Sequence, residues 1–490
     1  MAKLLSIVLI IFIQNQATTS KKPHILFIVA DDLGWNDIGF RNLDILTPTI
    51  DKLASQGVIF NSSYVLPVCS PSRSAFLSGY YPFKTGFQHF VLGAYQNVCL
   101  PLDLTLLPQQ MKKAGYATHA VGKWHLGFCN WNCTPTYRGF DSYLGYYNAA
   151  TDHYTHKLVN YYDMHDNEKP AWKYYGQYAG YFFTDRSLEI IRSHDTDIPL
   201  FLYLPFQNVH EPIQVPEEYA DLYPHVGNYG RKHFSGMVSF LDESIKNITY
   251  ALRDKNMLND TLILFTADNG AELLYYGNNY PLRGGKHTLW EGGTRATAFM
   301  TGYGLQHTGI HYDGLIHAVD WMPTLIGAAG AEQGRLIFHV QSIPGIDGIN
   351  QWDSIRMNQP SKRTEFIYNL DDFFIPSQGQ AAIRDGDWKL ILGYPGLYDG
   401  WYKPMNDTKD TPLYDFIYTP GDKPARLFNI KDDPNEYNDV SKEQPEIVQK
   451  LTAKISEYRK SMVPALYPKS DPEANTVARR NGGVWTPGWC

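Results

Sequence analysis

Three short stretches of the chain set acids and histidines where chemistry can occur. Asp31-Asp32 follows the apolar run His24 to Ala30, and Asp268-Asn269-Gly270 follows a second run, Thr261 to Ala267. Adjacent oxygen ligands at the carboxyl ends of buried strands sit where α/β sheets place ligands. They are the donors that a hard divalent cation takes. The set lacks the histidines that zinc usually has. In isolation an Asp-Asp pair is more often a turn or a charge at a helix N-terminus. A third run, Pro199 to Pro205, leads to His210 in Asn208-Val209-His210-Glu211-Pro212, and imidazole there suits proton transfer. Cys69 opens the segment Cys69-Ser70-Pro71-Ser72-Arg73. A lone cysteine before a proline is more often a buried small hydrophobe or half of a disulfide.

The elements that must position these groups follow from pattern. Each of the three runs is continuously apolar, as strands buried on both faces of a largely parallel sheet are. Between them, Pro48 to Ser55, Leu107 to Ala114 and His233 to Leu252 read as helices. Alternating strand and helix predicts α/β layers. The character changes near Ser377 to Gln380. Ala381 to Leu392 carries an Asp385-Gly386 turn between two short strands, Ala425 to Ile430 reads as another strand, and Pro445 to Ser461 as an amphipathic helix. We expect a catalytic domain over 21–376 and a smaller α+β domain over 377–490, an antiparallel sheet packed on a helix.

Two longer motifs carry a resemblance. Cys69-Ser70-Pro71-Ser72-Arg73-Ser74-Ala75-Phe76-Leu77-Ser78-Gly79 matches C-x-P-S-R-x-x-x-L-x-G, and Gly115 to Gly127 matches G-Y-x-T-x-x-x-G-K-W-H-L-G at every specified position. In this order and spacing the pair resembles the type I sulfatases. Lys286 followed by His287 to Arg295 looks like a further family segment. Ile346 to Trp352, Arg363-Thr364-Glu365 and Ala381 to Tyr394 look most like the arylsulfatase B branch, the N-acetylgalactosamine-4-sulfatases. The resemblance spans essentially the whole chain after residue 20. It implies an alkaline-phosphatase-like large mixed sheet flanked by helices.

The same resemblance assigns roles. Cys69 is oxidised in the secretory pathway to formylglycine by a formylglycine-generating enzyme, and its hydrate attacks sulfur. Asp31, Asp32, Asp268 and Asn269 hold one Ca²⁺, with position 69 as a further ligand. Arg73 holds the hydrated aldehyde, and Lys123 and Lys286 bind sulfate oxygens where charge develops. His125 assists regeneration of the aldehyde, and His210 protonates the leaving oxygen. The implied reaction is hydrolysis of a sulfate ester to inorganic sulfate and an alcohol. The ester is a sulfated sugar, an aryl sulfate or a sulfated glycoside such as a glucosinolate. Two other readings stand beside it: a phosphatase or phosphodiesterase of the same superfamily, and an inactive secreted glycoprotein that binds sulfated glycans.

The bulk of the chain agrees with a secretory destination. Lys3, the apolar run Leu4 to Ile13 and the small residues Ala17 to Ser20 read as a signal peptide over 1–20, too short to span a bilayer. The mature protein is expected to be secreted or lysosomal, without stable membrane insertion. A formal net charge of -7 argues against nucleic acid as a partner. Sequons at Asn61, Asn132, Asn247, Asn259 and Asn406 suit glycosylation in that compartment. If Cys69 is converted, Cys99, Cys129, Cys133 and Cys490 remain, and sequence cannot choose their pairing. The arylsulfatase B comparison favours Cys99 with Cys133. It offers Cys490 no evident partner, leaving it free or joined to Cys129.

Overall fold

The computed structural model describes residues 22–330, 345–373, 378–407, 409–410 and 423–490. The expected signal peptide and the expected boundary at 376/377 lie outside these residues. Among the described residues the main sheet has ten strands. At its centre His24–Ala30 runs parallel to Leu200–Pro205 on one side and Thr261–Ala267 on the other. All seven residues of His24–Ala30 are buried. Ala117–Lys123 and then Ser142–Tyr146 continue the parallel array beyond Leu200–Pro205. Beyond Thr261–Ala267 the sheet turns antiparallel with Ala298–Gly302, so it is mixed. Parallel strands end on one edge, and Asp31, Asp268 and His210 follow strands that end together there. Lys123 closes a fourth such strand.

Helices pack in two groups. Pro48–Ser55, Ala179–Ser193 and Glu217–Ala220 gather on the 26-residue helix Tyr229–Asp254. Pro82–Thr85, Leu107–Lys113 and Trp321–Ala328 gather around Cys69–Ser78. Both faces of the central strands are thereby covered, which is why those strands carry no polar alternation. Phe27, fully buried, meets Phe76 of Cys69–Ser78 edge-on at 5.7 Å and Tyr203 at 5.3 Å. Truncating Phe27 to Ala would cost about 3–5 kcal/mol and loosen the seat of that helix.

The smaller sheet is antiparallel, in the order Glu365–Leu370, Ala381–Asp385, Trp388–Leu392, Ala425–Asn429. Its first strand precedes position 377, so the sheet draws on the segment assigned to the larger domain. Helix Pro445–Arg459 lies over it with Leu451 and Ile455 buried. From the third strand, buried Lys389 reaches Glu291 at 2.9 Å and Glu436 at 2.8 Å. The small sheet therefore grips the segment that follows Lys286.

Cys99 pairs with Cys133, as the arylsulfatase B comparison favours, and Cys490 pairs with Cys129. Cys69 stays free and buried. No helix of the described residues is long and apolar enough to cross a membrane.

Candidate active site

Helix Cys69–Ser78 sets two of the groups. Val68 before it is extended, Pro71 falls in the first turn where no helical N–H is lost, and Gly79 ends it with φ 73°. A side chain at 79 would also strike Ile346 at 2.8 Å. All ten residues are buried although four are serines. Each serine is satisfied: Ser72 Oγ accepts from Leu66 N–H, Ser70 Oγ from Leu92 N–H, and Ser74 and Ser78 donate to backbone carbonyls of Pro71 and Ser74. Cys69 and Arg73, four residues apart, share one face of the helix.

That face meets the strand ends. Cys69 Sγ lies 3.6 Å from Asp31 Oδ1 and 3.9 Å from Asp32 Oδ1. Arg73 donates through Nε and Nη2 to Asp268 Oδ2 at 3.0 and 2.7 Å, and its Nη2 is 3.3 Å from Asp31 Oδ1. Lys123 Nζ donates to both Asp31 oxygens at 3.0 and 2.7 Å. Gly122 before it leaves room for a neighbouring strand, since a Cβ there would meet Pro205 O at 2.0 Å. Lys286 Nζ donates to Asp32 Oδ2 at 2.7 Å and to His210 Nε2 at 3.3 Å. The remaining residue singled out from the resemblance near these groups, His125, feels the charges of Lys123 and Arg73 and is held through Leu92 O.

The histidines hold defined tautomers. His210 Nδ1 lies 2.8 Å from the Glu211 carbonyl, so Nδ1 carries the proton and Nε2 faces Lys286 with a lone pair. His125 Nε2 donates to Leu92 O at 3.1 Å, leaving Nδ1 without a partner.

Burial and charge set the protonation states. Burial pushes the Cys69 thiol well up, so an unmodified cysteine here keeps its proton and is a weak nucleophile. Burial also pushes His210 down to about 4, helped by Lys286 and opposed by Asp32. His125 is held well below its usual value by burial, Lys123 and Arg73. Burial alone would raise Asp32, but Lys286, His210 and Lys123 outweigh it and hold the carboxyl far below its ordinary range. Asp268 is pushed up to about 6 by burial and by the charge of Asp31, against Arg73 and Lys123.

Ligand atoms of Asp31, Asp32, Cys69 and His210 lie within 4.8 Å of one another. His210 thus joins the group that the resemblance reserves for the metal. Asp268 stands beside it, with Oδ2 taken by Arg73 and Oδ1 accepting from Asp32 N–H at 3.2 Å. Asn269 donates to Asp32 Oδ1 at 2.7 Å, and its own buried Oδ1 has no partner. Crowded carboxylates and an orphaned amide oxygen suit a hard divalent cation.

Two further groups escaped sequence reasoning. Glu272 accepts from Tyr398 OH at 2.5 Å and lies 3.2 Å from His287 Nε2. Both adjoin Lys286, which Glu272 helps keep charged against the pull of burial. His287 opens the family-like segment after Lys286 but was given no role there, and Glu272 had only its spacing from Asn269 as a signal.

Comparison with known proteins identifies the family. The sulfatase family model matches residues 23–331, and the chain belongs to that family. It is 40% identical to arylsulfatase J of Mus musculus, over 96% of this chain and 80% of that protein. It is 27% identical to N-acetylgalactosamine-6-sulfatase of Homo sapiens, over 96% of this chain and 90% of that one. A crystal structure of Ps i-CgsB in complex with k-i-k-neocarrahexaose superposes with a TM-score of 0.77 at 27% identity, covering 94% of this chain and 98% of that one. The fold is accordingly the alkaline-phosphatase-like sheet of the sulfatases, and the chain is a sulfuric ester hydrolase.

Proposed function

We propose that the chain hydrolyses the sulfate ester of a sulfated sugar through formylglycine at position 69, with Ca²⁺ held by Asp31, Asp32, Asp268 and Asn269. The observation that carries this is the meeting of Cys69, three carboxylates and the cations Arg73, Lys123 and Lys286 in one buried cluster. The three carboxylates and three cations cancel formally, so a divalent cation leaves the site positive for an anionic ester. A hydrated formyl group supplies one hydroxyl to attack sulfur and a second to expel sulfate. Ca²⁺, when bound, lowers the proton affinity of a hydroxyl beside it.

The chain's own groups do the rest. Lys123 and Lys286 meet the sulfate oxygens and stabilise charge gathering there. His125 offers the bare Nδ1 as a proton acceptor for the residue at position 69. His210 keeps its first proton on Nδ1, so it serves as the acid in its doubly protonated form, whose Nε2–H beside Lys286 is given to the leaving oxygen. Arg73 fixes Asp268 and Asp31, and so the spacing of the carboxylates. With the whole set present, a binding-only role leaves the cluster without a purpose. The oxygen-rich donors speak against the phosphatase reading.

A sulfated sugar is supported by two relatives whose names or bound ligands are glycans: N-acetylgalactosamine-6-sulfatase and the neocarrahexaose complex. The narrower N-acetylgalactosamine-4-sulfate specificity rests on the Ile346 to Trp352 and Ala381 to Tyr394 segments. Two disulfides support passage through the secretory pathway and a secreted or lysosomal destination. Asn132, Asn259 and Asn406 are exposed and open to glycosylation. The decisive test is sulfate release by protein from a secretory host able to convert Cys69. Undiminished turnover by Cys69→Ala protein would remove the proposal.

A further inference from the structure

A row of rings leads away from Lys286. His287 stacks on Phe90 with centroids 5.5 Å apart, and Phe90 meets Tyr467 at 6.3 Å. Tyr467 meets His89 at 4.7 Å, and His89 stacks on Phe373 at 3.7 Å. Both inner members are fixed to the catalytic helix by backbone. His287 N–H donates to Pro67 O at 2.9 Å, two residues before Cys69. Phe90 lies two residues before Leu92, whose N–H donates to Ser70 Oγ and whose carbonyl takes the His125 proton. The row therefore starts at the site and ends at Phe373, whose ring is 43% exposed.

Packing alone does not account for this row. A core cluster buries its rings, whereas Phe90, His287 and Tyr467 are half-buried and Phe373 is exposed. Carboxylates beside the row are engaged, Glu272 by His287, Asp371 by His89 at 2.7 Å and Asp372 by Arg459. Partly exposed rings in contiguous succession can each pack on an apolar pyranose face, which successive sugar units present.

We propose that His287, Phe90, Tyr467 and Phe373 form a track for the glycan chain of an oligomeric substrate, the sulfated ring lying at His287 and its neighbours toward Phe373. This rests on the sulfated-sugar reading above. It adds that chain length, beyond the sulfated unit itself, determines affinity. Glu272 is a positioning residue, holding the His287 ring against Phe90.

Binding separates the track from turnover. Calorimetry on Cys69→Ala protein, with Cys69→Ser as a second background should the first fold poorly, compares a sulfated tetrasaccharide with the matching sulfated monosaccharide. The tetrasaccharide should bind about tenfold more tightly. Phe373→Ala should bring the two dissociation constants together, and Phe90→Ala should weaken both. Equal affinity for the two lengths, or a Phe373→Ala effect common to both, overturns the track. Absence of sulfate release from any ester by the wild-type protein would instead sink the catalytic reading, with the binding comparison still decisive for the track.

Discussion

Arg73 grips Asp268 with two nitrogens on one oxygen, Nε at 3.0 Å and Nη2 at 2.7 Å, across the gap between a helix and a strand end. Both partners are fully buried. Lysine offers one flexible ammonium in place of this fork. Arg73→Lys should therefore lower kcat/KM on the order of 10²-fold, the scale set by losing one preorganised donor. A rate within threefold of wild type would show that the fork is dispensable.

Cys69 is expected to be formylglycine in active protein, because the segment Cys69 to Gly79 carries the whole motif and burial raises the thiol, which makes it a weak nucleophile. Peptide mass spectrometry reads this directly. Active enzyme whose residue 69 is wholly alkylatable thiol would overturn the mechanism.

Removal of Ca²⁺ should abolish turnover, and readdition should restore it. Asn269→Ala, which deletes both the orphaned oxygen and the amide that donates to Asp32, should weaken metal affinity about 10-fold or more. Calcium titration of the chelated protein, followed by calorimetry, measures both. Activity untouched by thorough chelation would remove the metal from the reaction.

His210 gives the pH dependence its sign. Burial and Lys286 push its imidazole down to about 4, so the proton-donating form prevails below that value and is lost above it. For sugar sulfates, kcat/KM should fall about tenfold per pH unit as pH rises past about 4. His210→Ala should flatten this limb and cost about 10²–10⁴-fold on sugar sulfates, with far less on aryl sulfates, whose phenoxide leaves unaided. Equal losses on the two substrate classes would mean that the proton comes from elsewhere.

Lys389 tests the union of the two sheets. It lies fully buried between Glu291 and Glu436, and Lys389→Ala leaves two buried acids facing each other without the ammonium between them, held by Tyr64, Tyr368 and a backbone N–H. The loss should be about 3–5 kcal/mol of stability, read by denaturant unfolding. A drop below 1 kcal/mol would show the pair to be relaxed or hydrated.

The sequence was most legible where one property governed a whole element. His24–Ala30 and Thr261–Ala267 are bounded as the apolar runs are, because both faces are covered and nothing interrupts them. The helix Tyr229–Asp254 exceeds its expected span by a turn or less at each end, where caps rather than periodicity decide. Cys69–Ser78 could not be read as a helix. Its serines are polite only to backbone groups that folding brings near, and its pattern has no apolar stripe. Ala117–Lys123 was likewise hidden, since Thr118 and His119 break the run. Asp31, Asp268 and His210 could be placed at strand ends from pattern alone. Their joint distance to Cys69 needed the fold, and so did the pairing of Glu272 with His287, which no local pattern gives.

The seat of Cys69 also has a history. Its side chain is 1% exposed, on a helix with no residue open to solvent. No second protein can reach it there. If position 69 is converted by an enzyme, the conversion must come before the helix docks, while the segment is still an extended strand of newly made chain. Modification and folding then compete for the same moment. A variant that folds faster, or a host that makes the modifying enzyme sparingly, would yield molecules indistinguishable in shape from the active ones and permanently inert.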